Sequence, residues 1–142
     1  MHLNDAFTRY KSLTPFFFHH EQGAAMAAES YYRLINKVAL LNVTTGPGGI
    51  NALNGIYGAY MDSLSLLVVS GQVKNETFLK NYKVNLRQLG DQEVDIISMV
   101  KPITKYAVTV KDPNEIKIIM DKAIYFLENG RPGPVWIDVP ID

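Results

Sequence analysis

Short, unbroken apolar runs recur along this chain, and most give way to a turn and then to a stretch with helical character. Residues 14–18 (TPFFF), 38–43 (VALLNV) and 64–70 (LSLLVVS) are of this kind, and residues 135–139 (VWIDV) make a further strand. Runs of four to eight, rich in branched side chains and lacking in/out alternation, suit strands buried on both faces of a parallel sheet. Pro134 and Pro140 limit the last run at both ends, because proline cannot donate to a strand ladder. Residues 104–110 make a weaker strand.

Helical stretches lie between these runs. Residues 21–35 are rich in alanine, with few breakers after Gly23. Residues 48–60 follow a Gly-Pro-Gly-Gly turn. Asn54 and Gly55 would ordinarily signal a hairpin, but no alternating strands flank them, so the segment reads as helix. Residues 93–100 form a short helix stopped before Pro102. The clearest helix spans 113–129. Asp112 is its N-cap, Pro113 suits its first position and Glu115 completes a capping box. Ile116, Ile119, Met120, Ala123 and Leu127 form one apolar stripe, and Gly130 with Pro132 ends it. Strand alternating with helix predicts an α/β domain, with a mostly parallel sheet covered on both faces. In open sheets of this kind ligands bind beyond the carboxyl ends of the strands, so the turns are where chemistry belongs.

Composition narrows the function classes. A chain of 142 residues is one domain, long enough to build a core without staples. Its 14 basic and 14 acidic residues cancel, which removes the electrostatic footprint of a nucleic-acid or anionic-membrane binder. The absence of cysteine excludes disulfides, thiol chemistry and Cys-based zinc sites. The apolar runs fall far short of the ~18–20 residues of a membrane span, and the N-terminus lacks a signal-peptide pattern; a cytoplasmic protein is expected. Residues 1–70 carry only four basic and four acidic side chains. Such a charge-poor half is either central in the fold or meets another subunit, and the two readings are compatible.

Three turns offer chemistry. The first, at 19–23, places Glu21 just past an apolar run and at a helix start. Apolar surroundings raise a carboxyl pKa and the helix terminus lowers it, and a balance of the two allows proton exchange near neutrality. A plain helix-start glutamate is the other reading. His19 and His20, adjacent on an extended segment, point to opposite faces and do not share a metal ion readily. The second turn, 44–51, has glycines that let a ligand approach the backbone, but matches neither GxGxxG nor the P-loop; a tight turn without a ligand is equally compatible. The third, after residue 70, opens a polar segment to about Gln92, long enough to be functional or mobile. Gln72, Gln88 and Gln92 offer uncharged amides there.

In this order, the turns resemble the pyrimidine-binding (PYR) domain of thiamine-diphosphate enzymes, the acetolactate synthase, pyruvate oxidase and 2-oxo-acid decarboxylase group. The stretches that carry the likeness are HHEQGAAMAAESYYR (19–33), TTGPGGINALNGIYGAYMDSLSLLVVSGQ (44–72), QEVDIISMVKPITKYAV (92–108) and RPGPVWIDVP (131–140). The resemblance implies a three-layer α/β/α fold and a cofactor, thiamine diphosphate, held here by its pyrimidine end. It implies that Glu21 hydrogen-bonds N1′ of the aminopyrimidine, favouring the imino tautomer that takes the proton from thiazolium C2 before a 2-oxo acid is attacked. Thr44, Pro47 and Asn51 match positions lining the pyrimidine pocket. Gln72 matches a cofactor-binding position, and Gln88 and Gln92 match positions near cofactor or substrate.

The departures carry expectations too. The family holds the diphosphate and Mg²⁺ on a second domain through a Gly-Asp-Gly segment followed by an Asn; here Gly90 and Asp91 are followed by Gln92, and no metal site is expected among these residues. FAD, which some relatives bind through a middle domain, is left open. MHLNDAF looks like the helix after the family's first strand and turn. Residues 1–142 are therefore expected to be a PYR domain lacking that strand, which leaves a gap or an unpaired edge, together with the middle and diphosphate-binding domains. Its expected partner is the diphosphate-binding domain of a second subunit or separate chain, in a homo-oligomer, and alone it is expected to be inactive. A non-catalytic dimerisation or regulatory module of the same fold is the alternative.

Overall fold

The protein is described by a computed structural model over residues 2–142. Its order is α1 (His2–Arg9), α2 (Glu21–Ile35), β1 (Ala39–Val43), α3 (Pro47–Met61), β2 (Leu66–Gln72), α4 (Ile96–Val100), β3 (Tyr106–Thr109), α5 (Ile116–Glu128) and β4 (Pro134–Pro140). The four strands form one sheet in the order β1-β2-β4-β3, with every pair parallel. The chain steps from β1 to β2, passes over β4 to reach β3, and returns. Right-handed crossovers running in opposite directions place their helices on opposite faces. Accordingly, α2, α3 and α4 pack on one face and α5 on the other, giving the expected three layers.

β2 shows why its run has no alternation. Leu66 and Val68 join the α2/α3 core with Trp136, while Leu67 and Val69 join the α5 core with Val135 and Ile137. Both faces are buried, so both must be apolar. Leu3 of α1 packs against the α5 core. No helix among the described residues is long and apolar enough to cross a membrane.

Several local expectations hold with adjusted bounds. Helix α2 covers the expected span and ends at Asn36, whose φ of 53° supplies the left-handed cap usually given to glycine. Asp112 caps as expected, accepting the Asn114 N–H at 2.9 Å. It opens a short 3₁₀ turn (Pro113–Glu115) before α5, and Glu115 makes no return bond among the described residues. Of 93–100 only the last five residues are α-helical, because the Asp95 carboxylate caps the Ser98 N–H. A 3₁₀ turn (Lys101–Ile103) then carries the chain through Pro102.

Residues 14–18 differ. They form no strand, and Phe16 and Phe17 are 78% and 83% exposed. A strand exists only where a neighbour completes its ladder, and the sheet ends at β1. Asn54 and Gly55 also have a non-local explanation. A Cβ at Gly55 would lie 2.6 Å from that of Ala25, so the glycine serves the close crossing of α2 and α3. Gly55→Ala is expected to destabilise the fold by about 1–3 kcal/mol through overpacking. Gly23→Ala, where nothing lies within 4 Å of the new methyl, should be neutral or stabilise by up to about 1 kcal/mol. Urea denaturation of the two variants measures the contrast.

Candidate functional site

Glu21 is the first residue of α2, where free backbone N–H groups favour a carboxylate. His20 precedes it as N-cap, its Nδ1 accepting the Gln22 N–H at 3.2 Å. Across a helix-to-helix gap, the Asn51 amide on α3 donates to Glu21 Oε2 at 3.1 Å. The turn into α3 passes directly beneath. A Cβ at Gly48 would lie 3.4 Å from Glu21 Oε1 and 2.7 Å from the Thr44 methyl. Glycine at 48 thus lets Thr44 and the carboxylate that Asn51 bonds pack closely against the turn. Thr44, Pro47 and Asn51 are all solvent-exposed.

The electrostatics follow from these contacts. The Asn51 amide, then the residue's own backbone N–H, hold the Glu21 carboxyl below the usual glutamate range, against a smaller upward push from burial. The expected balance near neutrality is therefore not met by this chain alone. Its polar side is built, and the apolar cover that would raise the pKa is not supplied by residues 2–142.

The remaining candidates separate. Gln72 is buried and fully bonded. Its Nε2 donates to the Val94 carbonyl and to Asp138 Oδ2, each at 3.0 Å, while its Oε1 accepts from Thr45 Oγ1 at 3.1 Å and the Val73 N–H at 3.0 Å. It stands behind the 44–47 turn rather than on its open side. Gln92 reaches that turn through its backbone: a side chain at Gly46 (φ 59°) would lie 2.1 Å from the Gln92 carbonyl oxygen. Gln88 stays within its own loop, donating to the Gly90 carbonyl at 3.4 Å. No cluster of three metal-ligating side chains occurs among the described residues.

Two acids escaped the sequence reading. Glu93 ties the long loop together by accepting the backbone N–H groups of Leu79, Leu89 and Gly90 at 2.6–3.0 Å. Asp138 is wholly buried at the end of β4. Its signal was available: one acid inside an apolar strand must find partners. A cleft of about 440 Å³ lined by Phe78, Lys80, Tyr82, Arg87 and Asp95 lies apart from Glu21.

A parallel three-layer sheet with a helix-start carboxylate set against a glycine turn is an α/β domain of the kind whose ligands bind beyond the strand ends. Residues 1–99 match the family described as "Thiamine pyrophosphate enzyme, N-terminal TPP binding domain". The chain belongs to that family, whose cofactor is thiamine diphosphate. It is 39% identical over 140 residues to the acetolactate synthase large subunit of Lactococcus lactis subsp. lactis (strain IL1403), covering 99% of this chain and 23% of that protein. It is 43% identical over 123 residues to the corresponding subunit of Buchnera aphidicola subsp. Schizaphis graminum (strain Sg), covering 87% of this chain and 20% of the relative. The Porphyra purpurea subunit is 42% identical over 123 residues. The chain thus spans roughly a fifth of the length of these relatives.

Asn51→Ala should move the Glu21 titration upward toward the ordinary glutamate range, read from the side-chain carboxyl carbon by NMR. The sign follows from the depressed folded-state pKa. The contact stabilises the fold above the unfolded-state value, and that contribution disappears as pH falls through the folded-state value. The variant weakens this acid-side dependence, leaving the smaller part that comes from the backbone N–H and His20.

Proposed function

We propose that this chain is the cofactor-pyrimidine-binding part of a thiamine-diphosphate-dependent lyase or synthase that acts on 2-oxo acids, of acetolactate synthase type. The observation that carries the reading is the Glu21 carboxylate, held by Asn51 over Gly48. A carboxyl that shares one proton with its partner suits a flat heterocycle bearing a ring nitrogen, and glycine at 48 lets that carboxyl lie close against the turn. Glu21 would share a proton with a nitrogen of the pyrimidine ring, donating to it when protonated and accepting from it once the proton has moved. Asn51 would orient the carboxylate, and Thr44 and Pro47 would line the ring's edge. Gln72 supports this cradle from behind, and Gln92 borders it from the facing loop. Bound there, thiamine diphosphate supplies the electron sink that a 2-oxo acid needs to lose carbon dioxide.

Residues 1–142 act as a PYR domain. The diphosphate and Mg²⁺ belong to another domain, of a second subunit or a separate chain within an oligomer. When that partner covers Glu21, desolvation should lift its carboxyl from the depressed state toward the range where it exchanges protons. The exposed apolar groups of the charge-poor half, Phe16, Phe17, Leu34, Tyr57 and Met61 among them, are in keeping with such an assembly.

The chain alone should show no turnover. Joined to a diphosphate-binding domain with Mg²⁺, it should bind thiamine diphosphate by calorimetry and exchange the C2 proton for deuterium. Glu21→Gln should slow that exchange about 10²–10⁴-fold, the usual span for a lost acid–base group. Exchange at the parent rate would remove Glu21 from the chemistry. Absence of binding in the joined protein would favour a non-catalytic dimerisation or regulatory module.

A further inference from the structure

At the carboxyl end of the sheet the apolar pattern gives way to a polar row. Ser70 of β2 and Thr109 of β3 both stand in register with Asp138 of β4. Asp138 Oδ1 accepts from Ser70 Oγ at 2.6 Å, and Oδ2 accepts from Thr109 Oγ1 at 3.2 Å and from Gln72 Nε2 at 3.0 Å. Ser70 Oγ in turn accepts the indole N–H of Trp136 at 2.8 Å. A carboxylate only accepts, so it dictates which way each neighbour points. Turned over, the Gln72 amide would set its oxygen against two acceptors, Asp138 Oδ2 and the Val94 carbonyl, and its NH₂ against the Val73 N–H. Asp138, the Val94 carbonyl and the Val73 N–H therefore agree on one amide orientation, and Asp138 is the side chain among them.

That orientation reaches two separate turns. Gln72 holds Thr45, next to Gly46, and Val94, two residues beyond Gln92. Gly46 and Gln92 are themselves in backbone contact, and both occupy the left-handed region, with φ of 59° and 55°. In a non-glycine residue such as Gln92 this backbone persists where its surroundings are pinned, and Gln72 ties both segments through Thr45 and Val94.

We infer that Asp138 is a positioning residue: acting through the Gln72 amide, it holds the 44–47 turn and the 90–95 loop against each other beneath Glu21. The inference does not depend on what the site binds. The groups facing Asp138 are Ser70 and Gln72 from β2, Thr109 from β3 and, from the loop, the more distant Asp95; of these only Asp95 titrates. Burial pushes Asp95 up, but Lys80 and Ser98 together bring it below the usual range, so it stays charged while Asp138 changes state. Burial, opposed by the bonds from Ser70, Gln72 and Thr109, pushes Asp138 up to about 6. Trp136, the single tryptophan, reports that change through Ser70.

The test is an amide NMR titration of the 142-residue chain from pH 5 to 8. The Trp136 indole N–H and the backbone amides of Thr45, Gly46, Val73 and Val94 should shift with one shared midpoint near 6. Asp138→Asn should abolish that component at all five, which assigns it to this carboxyl. Gln72→Leu should keep it at the Trp136 indole and lose it at Thr45, Gly46 and Val94. Should Asp138→Asn fail to fold, the parent chain and Gln72→Leu still decide. The inference is overturned if the turn amides titrate unchanged in Gln72→Leu, or if the parent indole titrates and the turn amides do not.

Discussion

β2 and β4 lie side by side over Leu66–Gln72 and Pro134–Pro140, and every other element is placed relative to that pair. Both strands are buried on both faces, so their side chains form the centre of two cores at once. The pair also fixes what happens where it ends. Its register puts Ser70 opposite Asp138, and one residue pair closer to the middle it puts Val69 opposite Ile137. The change from apolar to polar side chains across that step marks the boundary between core and site.

Above that boundary, close backbone approach sets the geometry. Gly46, Gly48 and Gly49 each meet a neighbour within 3.4 Å of where a Cβ would stand: the Gln92 carbonyl, the Thr44 methyl and the Ile96 side chain. The turn is therefore gripped from three sides, and the side left open is the one that Glu21 and Asn51 border. The carboxyl on that side, Glu21, is held below the usual range, whereas the buried Asp138 carries a raised pKa. The two shifts run in opposite directions because the Asn51 amide bonds the first, while the second is buried among the strands.

The charge-poor first half divides between core and surface. Ala25, Leu41, Val43, Ala52 and Ile56 are core residues, while Phe16, Phe17, Leu34 and Met61 remain at the surface. Counting charges distinguishes neither group, since burial depends on which helix face meets the sheet. In the same way, residues 14–18 carry as strong a strand pattern as residues 64–70, yet only the latter has neighbours on both sides.

Periodicity and turn chemistry act over a few residues, and so the alternation of elements, the two-sided burial of β2, the cap at Asp112 and the glycine turn before α3 were all written in the chain itself; the likeness of its motifs to a cofactor-binding family singled out Glu21, Thr44, Pro47 and Asn51. What the tertiary structure alone decided are relations between distant residues: that Gly55 is a helix crossing and not a hairpin, that Gln72 faces inward, that Gln92 meets Gly46 through its backbone, and that Asp138 joins three strands and a loop. Each depends on a partner that becomes a neighbour only after the chain has folded, and no local pattern encodes which partner that will be.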